Sequence, residues 1–173
     1  MFEPKELDVS MAVVITDKNT NKINETLRYN YKLFDKYKKI IITNNLDFNY
    51  FNDEKLNKIY TKSLQLLENY DIALKNCDTE WCFLLHAGSC LQFDLIRRLS
   101  KFITSDLDIL FPVKNRIYDF IKNPLNGLLI NKKTYNKIGI FGKDNPEDII
   151  KLLWAFDAAK EGCLFKAIVG IYL

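Results

Sequence analysis

The chain has 173 residues, 48% of them hydrophobic, 13% aromatic and 27% charged, which excludes an intrinsically disordered polypeptide and supplies the core of about one domain. Its formal net charge is only +3, with 25 basic and 22 acidic residues spread along the whole length, so duplex nucleic acid is not expected as a partner. No window approaches about 18 consecutive apolar residues, the first residues lack a basic-then-apolar leader, and Cys77, Cys82, Cys90 and Cys163 form no C-x-x-C pair, so the expectation is a cytoplasmic protein with reduced cysteines.

Val9 to Thr16 is a continuous apolar run ending in the polar Thr16-Asp17-Lys18-Asn19, the pattern of a strand buried on both faces. Asn24 caps a predicted helix from Glu25 to about Tyr37, and a second apolar strand, Lys39 to Thr43, follows directly, making a βαβ unit. In Asp53 to Tyr70, Leu56, Ile59, Tyr60, Leu64 and Leu67 recur at helical spacing, so this segment is expected to be a helix, continued after a kink by Asp71 to Asn76. Trp81 to Leu85 reads as a third buried strand that stops at His86-Ala87-Gly88-Ser89.

A helix from about Gln92 to Phe102 and a strand from Leu107 to Val113 continue the alternation, which argues for an α/β sheet with helices on its faces. Further on come a short strand at Gly127 to Ile130, a brief helix from Lys132 and the turn Gly139 to Gly142. A strong helix is then predicted from Pro146 to Lys160, with Asn145 as cap, Glu147 and Asp148 in its first turn and Gly162 as its stop; the chain closes on Cys163 to Tyr172.

In open α/β sheets ligands gather beyond the carboxyl ends of the strands, which singles out Thr16 and Asp17, Asn44, His86 to Ser89, and Lys114 and Arg116. Neither G-x-G-x-x-G nor G-x-x-x-x-G-K-[ST] occurs, so the ordinary dinucleotide and P-loop readings fall away. The collinear order of Met11 to Thr16, the helix carrying Thr26 and Leu27, Lys39 to Asn45, and Ala73 to Ser89 resembles the nucleotide-sugar-binding half of a GT-A glycosyltransferase of the family-two type. Asn126 to Gly142, then Asn145 to Asp148 and a helix reaching Gly162, is similar to that family's acceptor half, and the short chain looks most like the very small phage-encoded members.

The resemblance implies a single GT-A-like domain over residues 1–173, with a mixed, mainly parallel sheet and helices on both faces: 1–113 the donor half, 114–173 the acceptor and catalytic-base half. It implies transfer of a sugar from a nucleotide-diphosphate sugar to a saccharide or other hydroxyl acceptor, with inversion, assisted by a general base and by Mn2+ or Mg2+. The location would be the cytoplasm, that of a host if the chain is virus-encoded, and a homodimer is compatible with it. By position, Thr16, Asp17, Asn44, Gly88, Ser89, Lys114 and Arg116 fall to the donor, and Asn126, Gly127 and Trp154 to the acceptor. Glu147 and Asp148 match the acidic pair that supplies the base, with Asp157 in reserve.

The family's Asp-x-Asp is replaced by His86-Ala87-Gly88-Ser89, which leaves His86 as the metal ligand or as a direct donor to the diphosphate. Without those carboxylates a second reading stays open, that of an inactive nucleotide-sugar-binding or protein-interaction module. The literal Asp106-Leu107-Asp108 precedes a strand instead of ending one and reads as a helix-to-strand turn. Each site assignment has a structural counterpart: strand-end polarity for Thr16 and Asn44, first-turn capping for Glu147 and Asp148, loop charge for Lys114 and Arg116, and core packing for Trp154.

Overall fold

A computed structural model describes residues 7–15, 25–26, 28, 37–43, 56–63, 66–88, 94–113, 127–139 and 159–169. Among them, strands β1 (Val9–Ile15), β2 (Lys38–Thr43), β3 (Leu56–Tyr60), β4 (Trp81–His86), β5 (Asp108–Val113), β6 (Leu128–Asn131) and β7 (Leu164–Val169) form one seven-stranded sheet in the order β3-β2-β1-β4-β6-β5-β7. β6 runs antiparallel to both of its neighbours, β4 and β5; the other pairings, β3 with β2, β2 with β1, β1 with β4 and β5 with β7, are parallel. The sheet is therefore mixed and mainly parallel.

The apolar runs account for the central strands, because parallel strands covered on both faces cannot alternate apolar with polar residues. In β4, Trp81, Phe83 and Leu85 turn to one face and pack in a cluster with Leu95, Ile96 and Leu99 of helix α2 (Leu95–Ser100). Cys82 and Leu84 turn to the other and pack with Tyr70, Ala73 and Leu74 of helix α1 (Leu66–Lys75) and with Tyr135 of helix α3 (Lys132–Ile138). Helices thus lie on both faces, and the core is two layers divided by the sheet.

The helix expected across Asp53 to Tyr70 is not there. Leu56–Tyr60 is strand β3, paired in parallel with β2 from Lys39↔Leu56 to Thr43↔Tyr60. The misreading has a physical cause: Leu56 and Ile59 are three apart, a spacing that shares one helix face but points to opposite faces of a strand. Both sheet faces are apolar here, and Leu56 joins one cluster while Ile59 joins the other. As an edge strand, β3 leaves Asn57, Lys58 and Tyr60 exposed, with a lysine guarding the edge. α1 also runs on through Asp71 without the expected kink, carrying an Asp71–Lys75 ion pair of 2.5 Å one turn apart, and Trp81–His86 is the fourth strand of the chain.

The remaining expected strands and short helices are present, with ends displaced by one or a few residues. Asn131 closes β6 and caps α3, its Oδ1 accepting from the Lys133 N–H at 2.8 Å. Of the predicted helices over 25–37 and 146–160, positions 25, 26, 28, 159 and 160 are described and are helical; the rest lies outside the described residues. Gly162 follows directly in the turn, its N–H donating to the Ala159 carbonyl at 3.0 Å. No helix among the described residues is long and apolar enough to cross a membrane.

Candidate active site

Strand direction brings the candidate regions to one edge. β1, β2 and β4 are parallel and in step, with Ile15 opposite Thr43 and Val14 opposite His86, so their carboxyl ends finish side by side. β6 enters there because it is antiparallel: Leu84 pairs with Leu128, and the Gly127 N–H donates to the Leu84 carbonyl at 2.8 Å. β5 and β7, both antiparallel to β6 in direction, end at this same edge. The carboxyl ends of six strands and the start of β6 therefore border one rim, the place where open α/β sheets collect ligands.

At its centre is the turn after β4. Gly88 has φ 95°, a backbone region that side chains other than glycine's rarely enter. Its N–H donates to Thr26 Oγ1 at 2.5 Å, and Thr26 is fully buried on the helical segment that includes residues 25, 26 and 28. The threonine hydroxyl thus fixes a turn that its own position in the sequence does not announce. Across the rim, Gly127 is buried with φ 84°, letting the chain pass into β6 hard against β4. Gly88 and Gly127, assigned by sequence to donor and acceptor respectively, are so brought to one edge.

A polar segment that sequence reasoning placed inside a helix also lies here. Just beyond β3, the Thr61 N–H donates to the Thr43 carbonyl at 2.9 Å, and Thr61 Oγ1 accepts from the Ser63 N–H at 3.0 Å. Ser63 Oγ donates to Glu68 Oε2 at 2.5 Å and its carbonyl accepts from Asn69 Nδ2 at 3.2 Å, tying the strand exit to the first turns of α1. Asn69 is fully buried and its Oδ1 has no hydrogen-bond partner. The signal that could have revealed this rim is the run Thr61-Lys62-Ser63, polar residues of the kind that end strands.

His86 is the last residue of β4, opposite Val14 of β1; its side chain lies outside the described residues, as do Thr16, Asp17, Asn44, Ser89, Lys114, Arg116, Asn126, Glu147, Asp148, Trp154 and Asp157. The chemistry of the β4 turn does not fit a hard divalent cation: an imidazole, two small residues and a hydroxyl stand where such an ion takes carboxylates. Among the described residues no three His, Cys, Asp or Glu side chains gather to hold a metal.

The literal Asp106-Leu107-Asp108 stands at the opposite edge, where β5 begins, and both of its carboxylates are engaged. Asp108, fully buried, accepts from the N–H groups of Thr104 (2.5 Å) and Ser105 (3.0 Å) and from Lys166 Nζ (2.6 Å). Burial pushes its carboxyl up, and Lys166 together with those donors outweighs burial and holds it below the usual carboxylate value. Asp106 pairs with Lys133 at 2.5 Å. The turn reading of this motif agrees with these contacts.

No protein-family model matches the sequence, and no curated protein matches it either. Among solved structures, the chain is similar to the mannosyltransferase PcManGT from Pyrobaculum calidifontis in complex with GDP-mannose and Mn2+, with a TM-score of 0.73, 14% identity, and coverage of 96% of this chain and 56% of that one. It is likewise similar to S. aureus TarS residues 1–349, with a TM-score of 0.64, 13% identity, and coverage of 94% and 58%. The chain thus has a GT-A-like α/β fold in common with these two proteins and spans less than two thirds of the length of either.

Proposed function

We propose that the protein is a glycosyltransferase that moves a sugar from a nucleotide-diphosphate donor to an acceptor hydroxyl. The observation that carries this reading is the convergence of the parallel strands' carboxyl ends, the Gly88 turn and the Gly127 entry on one rim, in a sheet shared with a mannosyltransferase that binds GDP-mannose. Thr16, Asp17 and Asn44 would bind base and ribose. Gly88 allows close approach of the diphosphate, with Ser89, Lys114 and Arg116 supplying a hydroxyl and two cations. Asn126, Gly127 and Trp154 would hold the acceptor.

Displacement at the anomeric carbon requires a base for the acceptor proton, the role given to Glu147 or Asp148, with Asp157 in reserve. An attack opposite the leaving diphosphate inverts the anomeric configuration. Because the β4 turn does not fit a hard cation, no step is routed through one: His86 is assigned as a proton donor to the diphosphate oxygens. The same carboxylate-free turn favours a second reading, a module that binds the donor without turning it over.

One assay separates them: release of nucleoside diphosphate from GDP-mannose and other common donors, with Mn2+ and with a chelator. Turnover supports the enzyme, donor binding without release supports the module, and neither binding nor release in any arm refutes both. His86→Ala is expected to weaken donor binding about tenfold, equivalent to about 1.4 kcal/mol. An unchanged dissociation constant by calorimetry removes His86 from the site, and a tenfold loss only when Mn2+ is present returns it to the role of metal ligand.

A further inference from the structure

The turn between α1 and β4 carries a group for which glycosyl transfer has no use. Cys77 is buried beneath α1 while its neighbours Asn76 and Asp78 are exposed, so a buried sulfur sits one residue from solvent. Its Sγ lies 3.2 Å from Thr79 Oγ1 and 3.7 Å from the Trp81 carbonyl oxygen. Thr79 Oγ1 in turn lies 2.8 Å from Ser10 Oγ, and Ser10 is the strand partner of Cys82. Cys82 belongs to the same buried cluster as Cys77, and the two thiols are hydrogen-bonding neighbours.

A cysteine that only fills space behaves differently. Cys163 is buried too, and burial pushes its thiol up. At Cys77 the Cys82 thiol, helped by the Thr79 and Ser10 groups, outweighs burial and brings the thiol down to about 6, while Cys82 is held in its protonated form. One thiolate beside one thiol is the arrangement that disulfide formation needs.

We propose that Cys77 and Cys82 are a reversible oxidation site, forming a disulfide with hydrogen peroxide as the two-electron oxidant. The Cys77 thiolate attacks one peroxide oxygen, the O–O bond breaks, and a sulfenic acid and hydroxide result. Cys82 sulfur then attacks Cys77 sulfur, the S–O bond breaks, and the departing hydroxyl leaves as water with the Cys82 proton. Two thiols are oxidised and one peroxide is reduced to two waters. The bond ties the end of α1 to β4, whose far end bears the Gly88 turn. This site is independent of the glycosyltransferase reading.

The test treats the reduced full chain with hydrogen peroxide, then denatures, alkylates, digests and weighs the peptides. Cys77 and Cys82 should be joined, lighter by two hydrogens and unalkylated, with Cys90 and Cys163 still alkylated and dithiothreitol restoring both thiols. Earlier oxidation of Cys90 or Cys163, or Cys77 advancing to sulfinic acid with Cys82 free, overturns the proposal. Cys82→Ser should strand the sulfenic acid on Cys77 as a dimedone adduct, and its absence from a variant with wild-type circular dichroism also overturns it. The principal arm uses the unsubstituted protein, so a variant that fails to fold rescues nothing.

Discussion

Thr26→Val tests whether the β4 turn is positioned for a ligand. Valine keeps the buried shape of the side chain and removes the oxygen that accepts the Gly88 N–H at 2.5 Å. An amide left without its partner costs roughly 1–3 kcal/mol when buried; this bond is only part-buried and water reaches Gly88, so about 1 kcal/mol of stability is expected to be lost. A freed turn presents the Gly88 amide less often in the donor-ready geometry, and a population falling about tenfold lowers apparent affinity by the same factor. The assay is urea unfolding beside calorimetric titration with GDP-mannose and other nucleotide sugars, with Thr26→Ser as control. Serine keeps the hydroxyl and loses a methyl group, so it should lose stability and retain affinity. Equal donor affinity in Thr26→Val and wild type, accompanied by lost stability, would refute the argument that this hydroxyl positions the turn.

At the opposite edge, Asp108→Ala removes a fully buried carboxylate and leaves Lys166 without its 2.6 Å partner, so about 3 kcal/mol should be lost in chemical unfolding, within the range for breaking a buried pair. Because the folded-state value of Asp108 is lowered, its contribution is complete above the unfolded carboxyl value of about 3.9 and disappears as pH falls through the folded value. Wild-type stability should therefore drop more steeply on acidification below about pH 4 than that of Asp108→Asn, and parallel curves would contradict the assignment. Glu147→Gln and Asp148→Asn should fold normally by circular dichroism, and at least one should abolish transfer; wild-type rates in both move the base to Asp157. Gly88→Ala, placed at φ 95°, should cost about 1–2 kcal/mol in thermal unfolding, and a gain in stability would show that the turn has another conformation.

The parts of the fold legible in the sequence are those whose burial is two-sided. Val9 to Ile15, Lys39 to Thr43 and Trp81 to Leu85 are uninterrupted apolar runs because their strands are covered by helices above and below. Edge strand β3 was illegible for the opposite reason: exposed on one side, it keeps few apolar residues, and Leu56 and Ile59 satisfy a helix face or two sheet faces equally well. The position of β6 between β4 and β5 is a long-range pairing that no local pattern encodes. Only the family resemblance led to a mixed sheet.

The site divides along the same line. Strand ends are visible as polar residues after apolar runs, which is how Thr16, Asn44, His86 and Lys114 come forward. Thr26 escaped because a buried threonine on an amphipathic helix looks like any small core residue, and its role appears only when Gly88, distant in sequence, is brought to its hydroxyl. Asp106 and Asp108 show the converse, a motif by sequence whose carboxylates are bound by Lys133 and Lys166 in space.

The central claim is that the rim shared by the β4 turn and the start of β6 receives the nucleotide sugar. Amide chemical-shift mapping of the labelled chain with GDP-mannose and other nucleotide-diphosphate sugars tests it most directly. The amides of Gly88, Gly127 and Thr61 should move on addition of a donor while those of Thr79, Thr104 and Lys132, at the other edge, stay in place. Shifts gathered at Thr79, Thr104 and Lys132, or none with any donor, would contradict the account.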